Sequence, residues 1–575
     1  MERNLHRLAE THYDVLVIGG GIYGAWIAQD AALRGFQVAL VEKEDFGHAT
    51  SFNSLKIIHG GFRYLQHLDI KRMRESIAER SVLLRIAPHL IHPLPFLMPT
   101  YGYGLQSQKV MQVALTLNDL IGFDRNRGIA RSQRLRKGYT ISKEECLKHV
   151  PGLPEQGLTG GAVWHDGQLS SSERLVVAVL RGATKAGAQI ANYVKVTGLC
   201  RQGNCITGVH VVDQISGDFF DIRGRIVVNA AGPWAPDIHK GHHQSSGPFH
   251  LSKAMNLVVK RPLVSHFAVG VSTRHAFHDP HAKFHKGHRL FFMVPARHHT
   301  VIGTTHTSFD DHVDRFHIGE QEVEEFIHDM NRAYPPANLE KNDIAFVYAG
   351  LLPMNPMKGL RQEVSLLKQS QIVDLERETG LQGLLTIIGV KLTEARSVAE
   401  KAVDLICQKF GKRFPSCQTA RRLLDGGELG DPKQFIQQEM QRLSPGALAS
   451  VLRHLIQRYG SSYERVLEQT GPGIERDVPF SRNTHVTKAE ILHAVREEMA
   501  VKLEDVVRRR TELGTFENPG DSTLAVCAEI MARELGWSEH QRQQELDAVR
   551  RTYSQGIFKF HQEVEAGAKE EMAVQ

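Results

Sequence analysis

The chain has 575 residues, 41% hydrophobic and 23% charged, with a formal net charge of +6. Such a length exceeds one hydrophobic core and predicts two or three domains of ordinary globular composition. The mild positive excess suits an anionic substrate or a membrane surface, and it is not gathered into a basic tail, which argues against nucleic acid as a partner.

Six cysteines (Cys146, Cys200, Cys205, Cys407, Cys417 and Cys527) form no CxxC pair and read as reduced thiols. The N-terminal apolar run is short and lacks a small-residue cleavage site, and no apolar stretch approaches the ~20 residues of a membrane span. The expectation is a cytoplasmic chain, with peripheral attachment to the inner face of the membrane left open. His275, His278, His281, His285 and His288 cluster, but Asp279-Pro280 breaks any helix that would align them, so they read as a solvated loop and no metal site is assigned.

The first informative segment is YDVLVIGGGIYGAWIAQDAALRGFQVALVEKEDF. Residues 14–18 predict a buried strand, 25–34 a helix stopped by Gly35, and 36–41 a second strand ended by Glu42. Between strand and helix stands Gly19-x-Gly21-x-x-Gly24. Gly19 permits the tight turn, Gly21 admits a pyrophosphate to the backbone, and Gly24 lets helix and strand pack closely. The helix N-terminus offers free N–H groups to phosphate, and Glu42 is placed to accept hydrogen bonds from an adenosine ribose. The spacing alone does not decide between FAD and NAD.

SLKIIHGGFRYL follows at 54–65, with His59 and Arg63 on either side of the Gly60-Gly61 pair or next to it. GRIVVNAAGPWAPDI predicts a strand over 226–229 that ends in Ala230-Ala231-Gly232. GLLTIIGVKLTEARSVAEKAVDLI predicts a strand over 384–388, then Gly389, then a helix from about Leu392 whose positive end suits a reduced flavin. From 421 the composition changes: LLDGGELGDPK is a linker, and helical periodicity follows over 435–443, 447–459 and KAEILHAVREEMAVKLEDVVRRR. The Arg508–Arg510 run reads equally as a solvated charged face or a partner contact, and the tail EVEAGAKEEMAVQ as a mobile end.

The GxGxxG turn, the AAGPW strand end and the GVKLT helix start together resemble FAD-dependent oxidoreductases of the D-amino-acid-oxidase type. ATSFNSLKIIHGGFRYL narrows the resemblance to the respiratory, quinone-linked glycerol-3-phosphate dehydrogenases. AERSVLLRIAPHL, HRLFFMVPARHHTVIGTTH, VYAGLLP, IQRYGSSYERVLE and KLEDVVRRRTELG extend it over nearly the whole chain. The implied fold is α/β plus α. A Rossmann-like FAD-binding domain (1–100, 160–235 and 345–420) carries an inserted antiparallel β-sheet substrate domain (101–159 and 236–344), and an all-α C-terminal domain (421–575) follows.

The resemblance implies FAD, held by Gly19, Gly21, Ile22, Gly24, Glu42, Lys43, Thr50, Ser51, Ser54, Val196, Ala231, Gly232, Gly389, Lys391 and Leu392. It implies oxidation of a secondary alcohol by hydride transfer to flavin N5, with electrons passed to a quinone at a membrane surface; a homo-oligomer is compatible with it. The catalytic set is His59, Arg63, Arg289, His306 and Lys391: His59 or His306 assists proton removal, and the three cations orient the substrate and stabilise developing charge.

Three departures bear on the substrate. The family pattern Lys-Gly-Ser-His stands here as Lys253-Ala-Met-Asn256, Gly-Thr-Thr-Asp as Gly303-Thr-Thr-His306, and Gly-Val-Arg-Pro as Gly350-Leu-Leu-Pro353. An arginine lost from an anion site costs ~2–5 kcal/mol unless Lys358 or Arg361 in the next loop replaces it. The alternative reading keeps the flavin chemistry and changes the substrate to another hydroxy acid, polyol or amine. A rival from another class, a flavoprotein scaffold without turnover, is opposed by the presence of His59, Arg63, Arg289 and Lys391.

Overall fold

The structure, a computed structural model, describes residues 1–102, 104, 107–238, 250–276, 288–356, 364–443, 446–471, 479 and 484–554. Residues 273–276, 288, 289, 447 and 554 are described by backbone alone. The expectations for His278, His281, His285, Lys358, Arg361 and the C-terminal tail therefore lie outside the described residues, as do those for the side chains of His275, His288 and Arg289.

Two sheets carry the site. The first runs Gln371–Asp374, Leu384–Ile388, Phe219–Asn229, His12–Ile18, Val38–Val41, Gln189–Ala191. Its central members are parallel, with Val15 opposite both Val38 and Ile226. A parallel strand covered on both faces needs apolar side chains on both. Val15 and Val17 join one buried cluster with the helices Ile22–Leu33, Ser172–Lys185 and Ala395–Phe410, while Leu16 and Ile18 join another with Val209, Val211 and Ile222. The hairpin Val194–Gln202 and Cys205–Asp213 pairs antiparallel onto Phe219–Asn229.

The second sheet runs Ile344–Pro353, Leu251–Val259, His299–Phe309, His288–Ala296, Ala268–Ala276, Ile91–Tyr101, Leu158–Leu169, Ile57–Ile58. The amphipathic helix Glu320–Ala333 covers it through Val323, Phe326, Ile327 and Met330. Strands 57–58, 91–101, 158–169 and 344–353 pair into this sheet, while the expected division places most of these residues in the cofactor part. The chain crosses between the sheets several times, and an apolar run does not say which sheet it joins.

Local ends shift for physical reasons. The helix expected from 25 starts at Ile22, whose N–H is capped by Ser51 Oγ at 3.0 Å. The helix expected near Leu392 opens as a short 3-10 turn over Leu392–Glu394 before Ala395–Phe410.

The C-terminal third is helical, with Pro432–Leu443, Ala449–Tyr459, Lys488–Glu498, Asp521–Leu535 and Glu539–Ser554. Its Asp505–Arg510 segment is a π-helical turn. The solvated-face reading of Arg508–Arg510 is overturned: all three are buried. Arg509 and Arg510 both bond Asp45, which lies just beyond the second strand of the cofactor sheet.

Candidate active site

A cavity of about 1250 Å³ lies between the two sheets. At one end the first strand delivers the glycine turn. Gly19 has φ +106°, and a Cβ there would lie 2.6 Å from the Ala230 carbonyl oxygen. A Cβ on Gly21 would meet only Ser51 Oγ, at 3.3 Å, so this backbone stays open to a phosphate. Gly24 does not line the cavity; its Cβ would stand 1.9 Å from the Gly19 carbonyl oxygen, so its part is close packing. The other fourteen expected cofactor positions, from Gly19 to Leu392, all line the cavity.

Glu42 ends the second strand. Its carboxylate accepts Gly20 N–H at 2.6 Å and Glu44 N–H at 3.0 Å, so it braces the glycine turn from inside the cavity wall. Burial pushes its carboxyl above the ordinary value. Lys43 sits over the Trp234 ring at 3.7 Å and pairs with Asp314 at 3.6 Å. Thr50 Oγ1 donates to the Leu351 carbonyl at 3.1 Å, tying this loop to the second sheet.

Tyr23, inside the glycine motif, reaches the late loop. Its hydroxyl accepts Val390 N–H at 3.1 Å and Lys391 N–H at 3.0 Å. A Cβ on Gly389 would stand 2.3 Å from the Tyr23 ring, so glycine is required there. Burial pushes the Tyr23 hydroxyl up to about 12, which keeps it neutral. The GVKLT turn is thus held beside the phosphate-binding turn by one half-buried phenol.

The other end of the cavity is built on the HGGFRYL loop. Gly60 N–H donates to Asp166 Oδ1 at 2.6 Å. Asp166 also pairs with Arg80 and accepts Trp164 Nε1–H at 3.0 Å. A Cβ on Gly60 would lie 2.3 Å from Arg80 Nη1, so the loop lies flat against this buried ion pair. Gly61 takes φ +76°, and a Cβ there would strike the Tyr64 ring at 2.3 Å.

These constraints aim His59 at the cavity. Its Nδ1 is buried without a hydrogen-bond partner among the described residues. Burial, then the positive charge of Lys391, holds its imidazole below the ordinary value, so the ring is neutral near pH 7. Lys391 Nζ bonds the Tyr64 hydroxyl and Glu394 Oε1, the latter at 3.2 Å, and lies 4.6 Å from the Tyr64 ring centre. Arg63 is exposed and borders the same cavity. Buried Arg72 also lines it, stacked 4.1 Å over Tyr64 and donating to the Lys368 carbonyl at 3.1 Å.

The second sheet closes the cavity with Asn256, Thr304, His306 and Leu352. Asn256 Oδ1 accepts Thr304 Oγ1–H at 2.7 Å, and His306 Nδ1 stands 3.4 Å from Ser252 Oγ. Leu352 pairs in register with Ser252, and His306 pairs with Ala254 on the other side of the same strand. Of the expected catalytic set, His59, Arg63, His306 and Lys391 meet around one cavity; Arg289 is placed only by its backbone in the strand His288–Ala296.

Several contributors were not read from the sequence. Tyr64 and Glu394 lay inside or beside motifs already singled out. Tyr23 sat in an unassigned position of the glycine motif, and Asp166, Arg80 and Arg72 carried no local signal at all.

The architecture agrees with comparisons to known proteins. The family model described as FAD dependent oxidoreductase matches residues 14–387, and that of the C-terminal domain of alpha-glycerophosphate oxidase matches 417–542. A glycerol-3-phosphate dehydrogenase of Synechocystis sp. is 31% identical over 543 residues, 94% of this chain and 96% of that one. An aerobic glycerol-3-phosphate dehydrogenase of Staphylococcus epidermidis is 30% identical over 550 residues, 93% of each chain. Among solved structures, a glycerol-3-phosphate dehydrogenase from Bacillus halodurans complexed with FAD matches with TM-score 0.72 and 25% identity, over 96% of this chain and 98% of that one.

Proposed function

The chain belongs to the family of FAD-dependent oxidoreductases and takes FAD as its cofactor, and on that premise we propose that it oxidises the secondary alcohol of glycerol 3-phosphate. The observation that carries the reading is His59 on the wall of a cavity that also holds Lys391 and Arg63, its ring kept neutral by burial and by the Lys391 charge.

The glycine turn and the N-terminus of Ile22–Leu33 would hold the pyrophosphate, with Glu42 and Lys43 toward the adenosine, and Thr50, Ser51, Ser54, Val196, Ala231, Gly232, Gly389 and Leu392 would line the rest of the bound FAD. Bound FAD supplies the two-electron acceptor that takes a hydride at N5. Neutral His59 accepts the substrate hydroxyl proton, with His306 lining the cavity from the second sheet. Lys391, fixed by Tyr64 and Glu394, orients the alcohol, and Arg63 meets the phosphate. Arg72 adds a cation to the wall that Leu352 leaves apolar.

Electrons leave, on this reading, to a quinone at a membrane surface. Among the described residues no helix is long and apolar enough to cross a membrane. The helix Gln108–Ile121 supports surface contact instead: Val113, Leu117 and Leu120 are 61%, 46% and 70% exposed at helical spacing, and Phe123 just beyond is 79% exposed. Exposed Arg131, Arg134, Arg136 and Lys137 lie beside it, held there by Gly138 N–H to Asp119 at 3.0 Å. An apolar stripe flanked by basic residues suits an anionic lipid surface.

Leu352, Asn256 and His306 favour a second reading, in which the same chemistry acts on another hydroxy acid, polyol or amine. Steady-state dye reduction decides between them. Turnover with glycerol 3-phosphate and none with unphosphorylated glycerol supports the first; turnover confined to an uncharged polyol, hydroxy acid or amine rejects it.

A further inference from the structure

Cys200, His210 and Asp221 stand on three neighbouring antiparallel strands, Val194–Gln202, Cys205–Asp213 and Phe219–Asn229. His210 and Asp221 are directly opposed in register, and Cys200 is the diagonal neighbour of His210, opposite Gly208. All three side chains leave the outer face of the hairpin. Leu199, Val209, Val211 and Ile222 point the other way, into the core. A period of two along each strand fixes this division.

Two irregularities interrupt the pairing of the first two strands, between Val196 and Gly198 and between Cys200 and Arg201. They bracket the cysteine, and register breaks of this kind re-aim side chains. Gly198 lies opposite His210, and a Cβ there would come within 3.5 Å of the ring carbon Cδ2. The imidazole therefore lies over a bare backbone, and turns its Nδ1 to both neighbours. Cys200 Sγ is 3.6 Å from that nitrogen, and Asp221 Oδ1 is 2.6 Å from it. The ligating atoms of the three residues all fall within 4.8 Å of one another.

We propose that Cys200, His210 and Asp221 form a surface site for a divalent transition-metal ion of the zinc class, with solvent completing the tetrahedron. Thiolate, imidazole and carboxylate are the ligand set Zn²⁺ prefers. Bond lengths of about 2.0–2.3 Å place tetrahedral ligand atoms about 3.5 Å apart. The sulfur–nitrogen separation already meets that, and the nitrogen–oxygen pair opens by less than about 1 Å to meet it. On binding, the Cys200 thiol proton goes to solvent as the sulfur–metal bond forms, and the His210–Asp221 hydrogen bond gives way to two bonds to the metal. The inner end of the same strand, Val194–Gly198, lines the cofactor cavity, so a metal stapling the three strands stiffens that wall from behind.

The test uses the untagged holoenzyme, stripped of metal by a chelator and titrated with Zn²⁺ by calorimetry. Cys200→Ser and His210→Ala are titrated alongside. The proposal expects a single tight Zn²⁺ per native chain and at least about tenfold weaker binding in each variant, since even indirect supports of a metal site are worth that much. Flavin content and turnover stay unchanged. In the native protein, bound Zn²⁺ protects Cys200 from alkylation, a readout independent of how the variants fold. Equal affinity in native and variant proteins overturns the proposal, because the metal then sits elsewhere, for instance on the histidines between 275 and 288. No Zn²⁺ binding, or no protection of Cys200 at saturating Zn²⁺, overturns it too.

Discussion

Asp45 and Arg510 face each other through two hydrogen bonds, Nη1 to Oδ2 at 2.8 Å and Nη2 to Oδ1 at 2.6 Å, with both side chains fully buried. Arg509 Nε joins the same carboxylate at 2.6 Å. The pairing fastens the helical C-terminal third directly behind the turn that follows Glu42. Asp45→Asn leaves two buried guanidinium groups with one counter-charge fewer, a change that costs about 3–5 kcal/mol. The expected result is a lower melting temperature together with faster loss of FAD on dilution. A variant that melts earlier but retains FAD as tightly as the native protein separates the C-terminal third from the cofactor turn.

The proposed mechanism gives the proton-transfer step to His59. His59→Ala is expected to lower kcat by roughly 10²–10⁴ with flavin content unchanged, the usual contribution of a positioned base. The native protein adds a pH test. The neutral ring is the active form, and burial and Lys391 lower its pKa, so kcat/KM falls on the acid side with an apparent pKa below the ordinary histidine value. An acid limb at or above that value, or one that persists in His59→Ala, assigns the step to another group.

Much of this site is legible in the sequence because its parts are local. GxGxxG, HGGFRYL and GVKLT each pack a chemical need into a few adjacent residues, and they come together on one cavity. What was not legible is long-range. Arg80 and Asp166 lie under Gly60 from distant segments, and neither has a neighbour that marks it. The RRR run looked like a solvated face because buried arginines are rare, and only the position of Asp45 reveals why these are inside. Sheet membership was equally hidden: Ile344–Pro353 reads as a strand, but nothing in its apolar pattern chooses between two sheets.

Leu352 tests the anion site. It borders the cavity opposite Ser252 in register, where the resemblance places an arginine. Leu352→Arg is expected to lower KM for glycerol 3-phosphate by about tenfold, equivalent to about 1.4 kcal/mol, and to leave that for glycerol unchanged. A rise in KM for the phosphorylated substrate alone contradicts the placing of its anion on this wall.

His454 sets the alkaline stability of the C-terminal third. It lies buried between Glu490, at 3.1 Å, and Glu512, at 2.8 Å. Burial opposes its charge, but the two carboxylates outweigh it and hold the imidazole up to about 9. A pKa raised on folding stabilises fully below the unfolded value of about 6.5, and that contribution is lost as pH rises through about 9. The difference amounts to about 3 kcal/mol. Thermal melts should therefore show falling stability from about pH 7 to pH 10, and His454→Gln should flatten this slope. A variant with the native slope assigns the effect elsewhere.

We propose that this cavity brings a phosphorylated secondary alcohol to FAD. Anaerobic addition of glycerol 3-phosphate to the purified holoenzyme, followed by flavin absorbance, tests this. The oxidised flavin band should bleach with one equivalent of dihydroxyacetone phosphate formed, and more slowly in His59→Ala. A flavin that stays oxidised with glycerol 3-phosphate, yet bleaches with an unphosphorylated polyol, hydroxy acid or amine, contradicts it.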